Sequence, residues 1–238
     1  MVPGFDTVNW VKMFSKGYFW DAYWLTLARA ALASIIASLI AFPASFALAF
    51  QVSDTVRRWA IFLLIIPFFT SYLVRAYAWQ VILAEQGVIN ALIGFIGIEP
   101  VTMLNTGFGA MVGYLTLTLS LVVILQTLSL AAVDRSLIEA AWNLGCSRLR
   151  TVLTVIIPSA RVGLIIGAVF CFILSFGDFV SPYYLGGSKP PTMSILIIDT
   201  TKSGQQWPRA AVVAVTMIVT LLVVAFAAIG AAYGRPKR

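Results

Sequence analysis

Asp134-Arg135-Ser136-Leu137-Ile138-Glu139-Ala140-Ala141-Trp142-Asn143-Leu144-Gly145 is a charged, helix-forming stretch set between two long apolar runs, residues 109–133 and 162–180. A spanning helix needs about 20 mostly apolar residues, so the quoted stretch reads as a loop joining two membrane spans. Further apolar runs stand at residues 23–50, 59–83 and 210–233, the last without a charge between Ala210 and Gly234. The chain is 61% hydrophobic and 11% charged over its 238 residues, against about 45–50% and about 25% for soluble domains. These observations predict an all-α polytopic membrane protein with about five transmembrane helices. A β-barrel would instead show segments of about ten residues with period-two alternation.

Within the loop, Ser136 and Glu139 have capping-box spacing: the hydroxyl can accept from the glutamate N–H while the carboxylate reaches back to the serine N–H. Gly145 suits the left-handed residue that ends a short helix. Ser147 can cap a second helix carrying Arg148, Leu149 and Arg150, which runs toward Pro158 and the next span. Ala140 and Ala141 leave the first helix flat enough for close approach by another protein, and Leu137, Ile138 and Trp142 are expected to form its apolar face. A docking element and a plain amphipathic connector both fit these residues.

Residues 1–21 read as an interfacial segment preceding a permease-like membrane domain at 22–238. Trp10, Met13, Phe14, Phe19 and Trp20 are expected at the lipid headgroup level, where aromatic rings are favoured. No apolar stretch of signal-peptide type precedes Asp21. One set of loops and ends collects Arg57, Arg58, Arg135, Arg148, Arg150, Arg161, Arg235, Lys237 and Arg238; the other collects Lys12, Lys16, Lys189, Lys202 and Arg209. The positive-inside rule assigns the first set to the cytoplasm. The amino terminus is then outside and the carboxyl terminus cytoplasmic. The net charge of +7 follows from this bias and calls for no nucleic-acid partner. There is no histidine, and the two cysteines, Cys146 and Cys171, fall in the loop and inside a span. A metal site and a disulfide are not supported.

Glu139-Ala140-Ala141, then three residues, Gly145, nine residues and Val155-Ile156-Ile157-Pro158 resembles the EAA loop of ABC-importer permeases. Val155 and Ile157 stand where that pattern has isoleucine and leucine. Residues 67–79 (Pro67 to Trp79), 87–90, 177–180, 185–187 and Trp207-Pro208 are similar to spermidine/putrescine-type permeases. The resemblance implies a type I ABC importer permease fold with a cytoplasmic coupling helix in loop 134–161. It implies that Ser136, Leu137, Glu139, Ala140, Ala141, Leu144, Gly145 and Pro158 form the ATPase-coupling element. Implied partners are a cytoplasmic ABC ATPase dimer, a second permease subunit and a periplasmic substrate-binding protein, with lipid around the spans. Such permeases usually have six spans, and residues 5–50 resemble the region after the family's first.

The chain has no G-x-x-x-x-G-K-[ST] phosphate loop, so ATP and Mg are expected on the partner ATPase and this chain is not expected to be an enzyme or to hold a cofactor. Ionisable groups at membrane depth face cavities or partners. Arg29 is expected to snorkel to the interface. Asp178, Arg75, Glu85, Tyr183 and Trp79 are the candidate substrate-path residues. Asp178, near Tyr183 and Tyr184, suits an ammonium group through charge and cation–π attraction. Arg75 is expected to pair with Glu85 or Asp178, or to contact a solute or partner. Residues 192–200 are expected to form a short helix dipping toward the membrane, with Ser203-Gly204 as a turn. The expected cargo is a small organic solute, a polyamine foremost, with an amino-acid derivative as the alternative. An ion-gradient-driven carrier and a non-transporting scaffold stand as competing readings; a carrier commonly carries internal repeats, and none is visible.

Overall fold

The computed structural model describes residues 7–202 and 205–234, so the turn expected at Ser203-Gly204 lies outside the described residues. The helices follow in the order α1 (Val8–Phe14), α2 (Gly17–Phe50), α3 (Asp54–Ile65), α4 (Tyr72–Leu83), α5 (Val88–Gly94), α6 (Gly107–Ala131), α7 (Arg135–Asn143), α8 (Arg148–Thr151), α9 (Ile157–Gly177), α10 (Met193–Lys202) and α11 (Trp207–Tyr233). Among the described residues, four helices are long and apolar enough to cross a membrane: Gly17–Phe50, Gly107–Ala131, Arg148–Gly177 and Trp207–Tyr233. A broken pair, Asp54–Phe69 with Tyr72–Gly94, is the candidate fifth.

That pair corrects the sequence expectation of one span at 59–83. Pro67 is the second residue of a 3₁₀ turn, Ile66–Phe69. The backbone N–H and the hydroxyl of Thr70 both donate to the Pro67 carbonyl, at 3.3 and 2.8 Å. Thr70 and Ser71 then take extended backbone angles. A proline cannot donate to the preceding turn, and here the competing bonds end the helix instead of kinking it.

Two compact units make up the chain. The first comprises the amino-terminal residues to Leu32, Ser71–Leu117 and Ile173–Val223. In it Leu83, Met103 and Leu185 form a buried cluster, with Trp79, Ile89 and Val112 packed against it. Asn90, in the first turn of α5, is buried. Its amide donates to Ala84 O and Val101 O at 3.2 and 3.0 Å, and its carbonyl accepts from Val101 N at 2.9 Å. One side chain therefore closes the loop that leads to α6. Gly113 of α6 permits close approach, because a Cβ there would collide with the Ser181 side chain. Thr26 Oγ1 accepts from Met193 N at 2.9 Å, seating the start of α10, whose residues Met193–Leu196 are buried. The short helix expected at 192–200 is thus present, starting one residue later and ending two later, with its first turn in the protein interior.

Two amino-terminal expectations need correction. Residues 17–21 belong to α2, not to a separate segment, and Met13 and Phe19 are 1% and 0% exposed. Both side chains pack inside the first unit, where the T-shaped Phe14–Phe19 and Phe19–Trp20 contacts hold the Phe19 ring. Trp20 and Trp24 keep exposed faces, as interfacial aromatics do.

The second unit comprises Ala33–Thr70, Thr118–Phe172 and the residues from Val224. Small residues of α2, Ala33, Ala37, Ala41, Ser45 and Ala49, are buried. Such a stripe lets backbones approach in a membrane, where interhelical attraction comes from packing and hydrogen bonds. Ser34 Oγ donates to Ala168 O at 2.6 Å, Ser45 Oγ to Val123 O at 3.1 Å, and Gln126 Nε2 to Ser38 O at 3.2 Å. Cys171 Sγ lies 3.1 Å from Thr118 Oγ1, and neither cysteine is in a disulfide. Ala49, Leu130, Val133, Ile138, Ile156 and Ala160 form the core under the loop that carries α7.

Candidate functional site

The α7 loop is built by local hydrogen bonds that can be traced residue by residue. Asp134, not Ser136, is its N-cap: the Asp134 carboxylate accepts from Ser136 N at 2.9 Å. The capping box expected between Ser136 and Glu139 is therefore absent, and Glu139 lies too far into the helix to reach back to the cap. Aspartate outcompetes because its charged oxygen sits in the extended position directly before Arg135, where an N-cap must be. Ser136 N–H donation holds the Asp134 carboxyl below the usual carboxylate range.

The other end of α7 is a Schellman motif. Gly145 has φ +82°, its N–H bonds Trp142 O at 2.9 Å, and Cys146 N–H bonds Ala141 O at 3.0 Å. Ser147 Oγ then accepts from Arg150 N at 3.4 Å and opens α8. A π-helical turn, Val152–Ile156, links α8 to α9. Pro158 explains that widening: it has no N–H for the carbonyl of Thr154, and its ring would crowd that carbonyl.

The faces of α7 divide differently from the expectation. Ile138 and Ala141 point into the core, while Leu137, Glu139, Ala140, Trp142 and Leu144 are exposed. The apolar residues thus do not share one face. Beside α7, the end of α2, α8 and the π-helical turn enclose a cavity of about 520 Å³, onto which Glu139 also opens.

In the first unit, Asp178 is 8% exposed and its carboxylate is already engaged. Tyr72 O–H donates to Oδ2 at 2.7 Å, Ser181 N–H to Oδ2 at 3.2 Å and Val180 N–H to Oδ1 at 2.8 Å. Tyr72 O–H is also hydrogen-bonded to Ser181 Oγ. Asp178 follows the last residue of α9 and caps the turn that begins two residues on, as short acidic side chains do. Its hydrogen-bond partners are Tyr72, Val180 and Ser181, while Tyr183 and Tyr184 make ring contacts. Those rings stack on others: Phe179–Tyr183 at 4.8 Å, Tyr183–Tyr184 at 4.9 Å and Tyr77–Tyr184 at 5.2 Å between centroids.

Arg75 pairs with neither Glu85 nor Asp178, which corrects that expectation; among the described residues the ion pair is Arg57–Asp54. Arg75 Nη1 donates to Thr116 O at 3.2 Å and its guanidinium lies 5.6 Å from the centre of the Tyr72 ring. Glu85 is exposed after the end of α4. Trp79 packs on the Leu83, Met103 and Leu185 cluster. Arg29 is half-buried and close to Tyr114.

Residues 33–236 match the model of the family described as binding-protein-dependent transport system inner membrane component. The chain belongs to that family. Among curated proteins, it is 27% identical over 220 residues to the spermidine/putrescine transport system permease protein PotB of Haemophilus influenzae, covering 92% of this chain and 76% of the relative. It is 26% identical over 219 residues to the protein of the same name in Escherichia coli, covering 91% and 79%. It is 26% identical over 241 residues to the inner membrane ABC transporter permease protein YdcU of Escherichia coli, covering 96% and 76%. Among solved structures, a bacterial ABC transporter involved in the import of the acidic polysaccharide alginate superimposes with TM-score 0.80 at 16% identity, over 99% of this chain and 86% of that one. The inward-facing MetNI methionine ABC transporter gives 0.69 at 16%, over 98% and 100%. At such identities these two establish the fold alone, that of type I importer permeases.

As an inner-membrane transport component, the chain is a permease subunit. Ser181, Tyr114 and Thr116, which help hold its first unit, carried no individual sequence signal, and Tyr72 stood only inside the family-like segment 67–79. Asn90 stood only inside a family-like segment, and Asp134 and Ser136 are both cap-type residues, of which the structure uses Asp134.

Proposed function

We propose that this permease is the membrane subunit of an ATP-driven importer that passes a small organic solute, a polyamine of the spermidine or putrescine kind, into the cytoplasm. The observation that carries the reading is α7, a short helix fixed at both ends by Asp134 and by the Gly145 turn, with Glu139 and Ala140 exposed. A helix so constrained transmits a push as a rigid body. Family membership and the spermidine/putrescine permeases among the relatives support the coupling role and the cargo.

In this reading the loop 134–161 and the carboxyl terminus are cytoplasmic and the amino terminus is outside, following the arginine-rich loops. A loaded binding protein docks outside. An ATPase dimer carrying ATP and Mg grips α7 through Glu139, Ala140, Leu144 and their neighbours. A second permease subunit completes the path, which opens alternately to each side. Tyr183 and Tyr77, each with an exposed ring face, line the transit route for a cation; sites of this kind bind weakly, because the solute must also leave. Asp178 acts behind them by fixing the 180–185 turn.

The tagged chain, purified from its native membranes with its partners and reconstituted, tests this reading. The expected result is a stoichiometric ATPase and second permease, with hydrolysis stimulated by spermidine-loaded binding protein. Glu139→Lys is expected to abolish that stimulation with the protein still in the membrane. Uptake that survives ATP depletion and collapses with the ion gradient would replace the proposal with a secondary carrier.

A further inference from the structure

The cavity beside α7 has a character that the docking of α7 itself does not use. Its walls include Phe46 and Phe50 of α2, Trp142 of α7 and Leu149 of α8, and its volume, about 520 Å³, falls within the roughly 300–1,000 Å³ typical of sites that receive a ligand-sized group. Next to it Trp142, Leu144 and Leu149 are 52%, 84% and 70% exposed. Apolar exposure along a spanning helix is met by lipid. This stretch, at the amino end of Arg148–Gly177, instead carries Arg135, Arg148 and Arg150, whose charges belong in water and not in lipid, and an apolar patch in water marks a protein-binding surface. The guanidiniums of Arg135 and Arg148 also line the cavity. Neither is in an ion pair among the described residues, and together they outweigh the Glu139 carboxylate.

Resting on the reading of the chain as an ATPase-coupled permease, we infer that this cavity is a socket for that ATPase, which inserts an apolar side chain flanked by carboxylates between α7 and α8. The contact is then reciprocal: α7 enters the ATPase, and the permease receives a side chain in return. Movement of the ATPase can pull α7 outward as well as push it, because the inserted group is held on two sides.

The test titrates the ATPase that co-purifies with the tagged wild-type chain back onto purified, lipid-embedded permease. Arg135 and Arg148 each start a helix, where an acidic side chain is favoured by the helix dipole, so the double variant Arg135→Glu/Arg148→Glu is expected to fold. It should bind the ATPase about tenfold or more weakly, with a smaller dependence on salt. Val152→Trp fills the cavity from its wall and should weaken binding similarly with an unaltered melting temperature. If that variant melts lower, the charge-reversal pair decides alone. Wild-type affinity and salt dependence in the charge-reversed protein would overturn the socket while leaving ATPase coupling intact. Failure of the wild-type chain to bind any ATPase would instead remove the coupling reading, and the socket with it.

Discussion

Gly145 offers a graded test of how far coupling depends on the shape of one turn. Its φ is +82°, and nothing lies within 4 Å of the position a Cβ would take. A side chain there meets no neighbour, so its cost is that of the left-handed backbone alone, about 1–2 kcal/mol for an ordinary L-residue. Asparagine tolerates this region better, and a β-branched residue worse. A change of about 1–2 kcal/mol lowers the ratio of formed to frayed turn by a factor of about 5–30. The two bonds released are those from Gly145 N–H to Trp142 O and from Cys146 N–H to Ala141 O. In the reconstituted transporter, the ratio of solute-stimulated to basal ATP hydrolysis should fall in the order wild type, Gly145→Asn, Gly145→Ala, Gly145→Val, with equal amounts of protein in the membrane. Wild-type coupling in Gly145→Val would refute the reasoning. Equal loss in Asn and Val variants would show that the backbone angle is not the cause.

Replacing Asp178 with Asn leaves one oxygen to serve three donors; stability should drop by about 1–3 kcal/mol, read as a lower melting temperature alongside slower uptake, whereas slow uptake with an unchanged melting curve would mark Asp178 as a contact for the solute itself. Asn90→Ala removes three hydrogen bonds and leaves Val101 N–H and two carbonyls to find new partners. Faster hydrogen exchange across residues 84–101 is the expected result, and protection equal to wild type would contradict the clamp. Because the folded Asp134 carboxyl titrates below its unfolded value, its stabilisation of α7 is present at neutral pH and lost as the pH falls through the folded pKa. A spin label on Cys146 should become more mobile over that acidic range, and Asp134→Asn should flatten the change.

The membrane class, the positions of the long spans, the Gly145 turn and the Ser147 cap were legible from the chain itself. Each depends on residues adjacent in sequence: a run of about 20 apolar side chains fixes a span, and a glycine after a helical stretch fixes a left-handed stop. Local competition already blurred the reading at Asp134 against Ser136, and at Pro67, where a kink and a break share one sequence. The polar contacts of the first unit were not legible. Tyr72 and Asp178 are 106 residues apart, and Arg75 and Thr116 are 41 apart. An arginine and two acids at membrane depth suggest ion pairs, yet tyrosine, serine and backbone groups satisfy Asp178, and a carbonyl takes Arg75. Charge alone says that such groups must find partners; only the packing of distant helices determines which partner lies within about 3 Å. The same holds for the cavity beside α7, whose walls come from α2, α7, α8 and the π-helical turn. No hydropathy pattern encodes a space that exists only once those segments have been brought together.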